Sequence, residues 1–450
     1  MFNLSELGKI FRIHSGSGKL CFGANRELNC NFKVAQLSDA RLYASCEILT
    51  SDPSIDVGQK VESLSGRTDD GTHLDLQQLL AVSTRISSSA KGASEEILFL
   101  GKELTVSDGA FPEGSVTFKF FITNLTIGNL DQELSLTLDG FAVTVHRVPS
   151  YDQIVGGLKA IQVDVTCEAL VRADSIEQRD TILQLMMRLC LLLTLARGCR
   201  VEWIGYEVMT VAGQVFESFH KNAVTKPYGT LHLIGLLPAQ DTLDFVSTTY
   251  PALTRCEQQW ELRKAIDAYT DAKVEVDFLE FRALKMAIVM EHLKGRYLTQ
   301  QNRVYLINPT KYQQHEESII RFVEWVLRTI FPKVETEKIE LMAKHAQGFN
   351  WYPFSRALAE LCKSIRLRIN SSERRRFVEI RNELVHRMAF HPSQGTEWEQ
   401  YAFLMTFVGK TLLAILGYSG NFYDWTEPPR WIGEKMQMRK RLDLVPKESL

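Results

Sequence analysis

The chain has 450 residues, 45% of them hydrophobic and 24% charged, with a formal net charge of −2. That length accommodates two or three domains with cores of their own, and the near-neutral balance gives no global field for a polyanion, so nucleic-acid contact must come from a local patch. The eight cysteines are scattered, with neither a C-x-x-C pair nor a closely following pair of histidines, which argues against structural zinc and fits reduced thiols in the cytoplasm.

The N-terminal "MFNLSELGKIFRIHSG" lacks the basic region and apolar run of a secretory signal. The two greasiest stretches, "TILQLMMRLCLLLTLA" and "YAFLMTFVGKTLLAIL", are interrupted by Arg188 and Lys410 and read as buried helices, so no membrane span is expected.

From the start to about residue 170 the hydrophobic period is two. "SVTFKFFIT" places Val116, Phe118, Phe120 and Ile122 on one face, and "IQVDVTC" does the same with Ile161, Val163, Val165 and Cys167. In "LSLTLDGFAVTV", Leu134, Leu136 and Leu138 alternate up to Asp139-Gly140, and Phe141, Val143 and Val145 resume the alternation. Asp-Gly supplies the positive φ angles of a tight two-residue turn, so this is the clearest hairpin. "HSGSGKL" at residues 14–20 fails as a phosphate loop, since Ile13 replaces the first glycine and Leu20 the magnesium-binding hydroxyl; a turn between early strands is expected there. "NLT" at Asn124 is a chance glycosylation pattern. Residues 1–172 form the expected β-rich domain, an antiparallel sandwich or barrel.

Helical spacing takes over in "SIEQRDTILQLMMRLCLLLTLARG", apolar over most of its circumference, with Gly198 suited to the residue after its end. A short β segment around "VEWIGYEVMTVAG" and a loop-rich passage complete a connecting region over 173–272. From 273 to 450 the chain is expected to be an α-helical bundle, giving an α+β protein overall. "DFLEFRALKMAIVMEHLKG" opens with an Asp277/Glu280 capping pair, and "EESIIRFVEWVLRTIF" runs until Pro332. His292 and His345 stand singly on helical segments and read as ordinary solvated or core histidines.

"RRRFVEIRNELVHRMAF", residues 374–390, differs from these. Asn370 and Glu373 form a capping box ahead of it, and Phe377, Ile380, Leu384 and Met388 recur every three to four residues as a buried stripe. At about 100° per residue, Asn382 and His386 lie within about 40° of each other, whereas Arg381 and His386 differ by about 140°. Between Lys363 and Arg387 there are eight cations against three acids, an electrostatic footprint for phosphate. Arg374, Arg375, Arg376 and Arg387 are the candidate RNA contacts, although three adjacent arginines point three ways and at most one of them serves a given site.

These residue types suit RNA cleavage without metal or cofactor. A histidine of pKa about 6.5 can take a proton from a ribose 2′-hydroxyl or give one to the leaving 5′-oxygen, and a permanently charged guanidinium can hold the scissile phosphate. An amide can orient either partner. The products would be a 2′,3′-cyclic phosphate and a 5′-hydroxyl.

"RNELVH" resembles the motif of the HEPN superfamily, whose ribonucleases carry Arg, a polar residue (often Asn), variable positions and His on a helix of an α-bundle; the matching positions are Arg381, Asn382 and His386. Arg67 and His73 in "RTDDGTH" share the spacing but lie in a glycine-containing loop of the β domain and read as coincidence. The layout, with the following "LLAILGYSGNFYDW", resembles ApeA-type anti-phage proteins of bacteria over essentially the whole chain. The resemblance implies a metal-independent endoribonuclease of abortive-infection defence. It further implies dimerisation through the HEPN helices, an N-terminal domain that senses a phage-derived trigger or restrains activity, and tRNA among the candidate targets. The alternative is a catalytically silent HEPN sensor or dimerisation module, with the β domain as the binding part. The basic "KMQMRKR" at 435–441 reads either as an extension of an RNA path or as a solvated end.

Overall fold

The computed structural model describes residues 1–23, 26–48, 55–89, 92–109, 113–127, 133–158, 163–223, 231–235, 239–427, 430–432, 435–437, 439–442 and 444–445. Period-two patterning builds β1 (Ile10–Cys21), β2 (Glu27–Leu37), β3 (Leu42–Ile48), β4 (Lys60–Thr68), β5 (His73–Ser89), β6 (Gly92–Gly101) and β7 (Glu103–Ser107). It also builds β8 (Val116–Thr123), β9 (Leu134–Leu138), β10 (Phe141–Arg147), β11 (Val165–Ala173), β12 (Glu202–Thr210) and β13 (Val215–Lys221).

These strands form one 13-stranded antiparallel sheet in the order β4-β1-β2-β3-β6-β5-β7-β13-β12-β8-β11-β10-β9, and an additional β4–β5 pairing closes its first six strands into a ring. β5 is the junction: β4 runs along one edge, while β7 and β6 follow one another along the other. The ring has its own core, including Phe32, Leu64, Leu76 and Phe99, none of them exposed. Closing so small a ring draws β1 against β4. A Cβ on Gly16 would lie 2.0 Å from the Arg67 carbonyl oxygen, and one on Gly18 would lie 2.4 Å from that of Ser65. "HSGSGKL" is therefore strand interior where a turn was expected, and its glycines serve the seam.

The hairpin at Asp139-Gly140 forms in the expected register, with φ of 49° and 85° at the two turn residues. Val116, Phe118, Phe120 and Ile122 share one buried face. Val165 and Cys167 do not, because a register shift lies between them: Cys167 joins that core and Val165 a separate cluster with Phe121 and Ile204. Ile161 lies outside the described residues. β12 and β13, from the expected connecting region, are inserted in the middle of the sheet between β7 and β8. Asn124 is buried and donates to the Arg200 carbonyl.

The helices are α1 (Tyr151–Leu158), α2 (Arg179–Arg197), α3 (Ala239–Trp260), α4 (Leu262–Asp271), α5 (Leu279–Gln300), α6 (Pro309–Ile330), α7 (Thr336–Lys344), α8 (Phe354–Ser364), α9 (Ser371–Arg387) and α10 (Glu397–Ile415). Gly198 closes α2 in the left-handed conformation, as its position predicts. α3 and α4 occupy a passage expected to be loop-rich, and α3 accommodates Pro251 in its interior. Asp277 does not cap α5: Phe278 holds the cap position without a side-chain bond, and Asp277 pairs with Lys285.

A second core runs without a break from the inner face of β8–β11 through α2 to α10, so the far half of the sheet and the helical region share one interior. α5 sits at its centre, packed on α4, α8, α9 and α10. Past α10 come four short strands, β14 (Asn421–Tyr423), β15 (Arg430–Ile432), β16 (Lys435–Gln437) and β17 (Arg439–Arg441), paired β14 with β17 and β15 with β16. The chain then returns to the α8–α9 connection, where the Val445 amide donates to the Arg366 carbonyl.

Candidate active site on the basic helix

α9 begins with the expected capping box. The Glu373 amide donates to Asn370 Oδ1 at 2.8 Å, and the Asn370 amide donates to Glu373 Oε2 at 3.0 Å. Its anchor is apolar: Phe377, Ile380 and Leu384 are fully buried, and the Phe377 ring lies 4.6 Å from Phe407 and 6.2 Å from Phe354. Met388 is not part of this stripe. The helix ends at Arg387, and Met388 is its left-handed cap (φ 52°), 42% exposed.

Arg381 leaves the helix on the side of α5 and α8. It pairs with Glu291 of α5, its Nη1 donates to Asn382 Oδ1 at 2.9 Å, and its guanidinium carbon sits 5.1 Å above the Phe354 ring. Lys294 pairs with the same Glu291 at 2.7 Å and lies 5.0 Å from the same ring. Arg381 Nε is buried without a partner. Asn382 and His386 face solvent, and among the described residues His386 has no hydrogen-bond or ion-pair partner. Arg381 and Asn382 are thus brought into contact, with His386 one turn further along the exposed face.

The other arginines separate. Arg375 pairs with Glu379 at 2.7 Å and Arg387 with Glu383 at 3.3 Å, both one turn apart on α9, and Arg374 lies beside Ser355 and Arg356 of α8. Arg376 leaves on the side opposite Arg381, toward α10. It donates to the Gln394 carbonyl at 3.0 Å and lies 4.6 Å over the Phe403 ring. Much of the helix's basic charge is therefore met by acids of its own or a neighbouring helix.

Glu291, Lys294 and Phe354 are part of the site's surroundings that the sequence did not mark. Glu291 and Lys294 form an ordinary i,i+3 pair on α5, and no local pattern ties them to a helix some 90 residues on. Arg67 and His73 are cross-strand neighbours of β4 and β5, with the glycine-containing loop between them rather than beneath them. His292 Nε2 donates to the Trp260 carbonyl at 3.3 Å and lies 3.8 Å from the Glu261 carboxylate, and His345 is exposed at the end of α7. All eight cysteines are free. Among the described residues, no cluster of His, Cys, Asp and Glu is placed to hold a metal ion, and no helix is long and apolar enough to cross a membrane.

Compared with protein families, with curated proteins and with solved structures, the chain matches none.

Proposed function

We propose that the chain is a metal-independent endoribonuclease of the HEPN type, acting in the cytoplasm in anti-phage, abortive-infection defence, with tRNA the first RNA to test. One observation carries this reading: Arg381 and Asn382 are in hydrogen-bonded contact on a capped helix, and His386 stands one turn on, exposed and without a partner. A helix held only for packing has no need of that combination.

His386 takes the proton of the ribose 2′-hydroxyl, whose oxygen attacks the adjacent phosphorus while the P–O5′ bond breaks and the leaving 5′-oxygen takes a proton from water, the imidazolium then returning its own proton to solvent. Arg381 steadies the charge that grows on the non-bridging oxygens, and Asn382 fixes the guanidinium plane. Arg381 lies about 140° from His386 around the helix, so a second copy is proposed to complete the site, with Arg381 of one subunit serving a phosphate held at His386 of the other. Val385 and Met388, 39% and 42% exposed on either side of His386, supply apolar surface for such pairing.

A catalytically silent sensor or dimerisation module is the second reading, favoured by the ion pair of Arg381 with Glu291. Incubation with total RNA in excess EDTA separates the two. Cleavage leaving 2′,3′-cyclic phosphate ends is expected; cleavage only with added divalent metal overturns the mechanism, and no cleavage under any condition favours the silent module.

A further inference from the structure

A cavity of about 350 Å³ opens on the side of α9 away from Arg381, between α9, α10 and the β14–β17 pair. Five cations line it, Arg368, Arg376, Lys410, Lys440 and Arg441, against two carboxylates, Glu373 and Asp424. The two carboxylates are already engaged. Glu373 pairs with Lys410 at 3.4 Å and also caps α9, and Asp424 pairs with Lys440 at 3.1 Å. Burial alone would raise the Asp424 carboxyl, but bonds from Thr426 and Lys440 hold it below its ordinary range, so it stays charged and keeps Lys440 in place.

That leaves a surplus. Arg376 and Arg441 have only main-chain acceptors among the described residues, the Gln394 carbonyl at 3.0 Å and the Ser419 carbonyl at 3.3 Å. Each guanidinium carries five N–H donors in a fixed fork, so most of its capacity is unused. Two cations with no carboxylate in ion-pair contact, one half-buried with only the more distant charge of Glu399 acting on it and one at the rim, make a concave positive site whose field strengthens as water is displaced. The floor differs from the walls: Phe403, Phe407 and Phe422 are all less than 7% exposed and present apolar surface beneath the charges. The cavity's volume lies near the lower end of ordinary small-molecule sites.

We propose that this cavity binds a small organic phosphate of mononucleotide size, with Arg376 and Arg441 holding the phosphate and the apolar floor carrying the remainder of the molecule. A recess of this size, rather than an open groove, favours a free small ligand over a passing RNA strand. Because its walls join α9 to the C-terminal strands, occupancy would tie the chain's end to the basic helix. The site stands apart from the Arg381 side and does not rest on the ribonuclease reading.

The test is binding to the purified full chain by calorimetry and thermal midpoint, using AMP, GMP, CMP and UMP, inorganic phosphate, and a short 5′-phosphorylated oligoribonucleotide. At least one mononucleotide is expected to bind and raise the midpoint, with affinity weakened about tenfold by Arg441→Gln and by Arg376→Gln. Binding should be unchanged in His386→Ala, whatever that variant does to RNA. Arg441 is exposed, so Arg441→Gln remains informative if Arg376→Gln fails to fold. Four outcomes overturn the proposal: no midpoint shift with any mononucleotide up to about 10 mM, equal binding by the wild type and Arg441→Gln, inorganic phosphate binding as tightly as the best mononucleotide, or binding of the oligoribonucleotide alone.

Discussion

Arg381 and Arg376 leave α9 on opposite sides of its buried stripe, each half-buried against an aromatic ring and each with an Nε that has no partner. Only Arg381 has a carboxylate, Glu291; Arg376 has a main-chain carbonyl. Two arginines with matched packing are therefore in different electrostatic states. On the α5 side a phosphate must displace or share Glu291, so binding there is an exchange. On the α10 side it adds to a guanidinium that has no carboxylate in ion-pair contact among the described residues, only the more distant charge of Glu399. The first arrangement suits a transient contact with a reacting phosphate and the second a resident anion.

The largest expected effect falls on the exposed face beside Arg381. His386→Ala should lower RNA cleavage by about 10²- to 10⁴-fold, the usual contribution of a general acid or base, with little change in thermal midpoint because His386 has no partner to lose. Arg381→Ala should lower cleavage by about 10²- to 10³-fold, as loss of one transition-state donor does elsewhere. Mixing the two inactive variants should restore part of the activity if the site is composite, and failure to complement would remove support for a shared cleft. Arg376→Ala, across the stripe, should cost at most about tenfold through weaker general attraction of RNA. A loss as deep as that of His386→Ala would break the contrast between the two sides.

Glu291→Gln probes the same contrast from the opposite direction. The Arg381 and Glu291 side chains are 20% and 29% exposed, so their pair is partly screened and contributes on the order of 1 kcal/mol or less. Removing the carboxylate charge should tighten apparent RNA binding about two- to fivefold, read as a lower KM in a cleavage assay at low salt. A KM that does not move, with only the midpoint falling, would give the Arg381–Glu291 pair a purely structural role and break the contrast with Arg376.

How much of this was readable in the sequence differs by element. The Asp139-Gly140 hairpin, the Gly198 cap and the Asn370/Glu373 box were legible because each is a local rule in which a few adjacent residues meet one backbone requirement. The 13-stranded sheet was legible only as a β-rich half. Its closure into a ring and the insertion of β12 and β13 between β7 and β8 are pairings between distant segments, which period-two patterning does not specify. α3 and α4 fell in a passage read only as loop-rich, and α3 carries Pro251 in its interior, a residue that ends most helices. At the candidate site, Arg381, Asn382 and His386 were picked out by their spacing and by the motif they resemble. The different treatment of Arg381 and Arg376 was not, since it depends on Glu291 and Gln394 from other elements.

The two smallest expected effects lie at the ends of α9 and locate where its sides are anchored. Asn370→Ala removes one half of the capping box and should cost about 1 kcal/mol in chemical denaturation. Glu373 serves both that box and Lys410, so the loss should loosen the α10 side first and weaken anion binding at the cavity before it affects cleavage. Met388→Gly acts at the other end. Met388 holds a left-handed conformation that costs a side-chain-bearing residue free energy and glycine very little, and it buries too little surface to compensate. The substitution should raise stability by up to about 1 kcal/mol, measured as an increase in denaturation midpoint. If exposed apolar surface beside His386 is what a second copy covers, the same change should weaken self-association, seen as a shift toward monomer in sedimentation. A stabilised chain with unchanged association would place the pairing surface elsewhere.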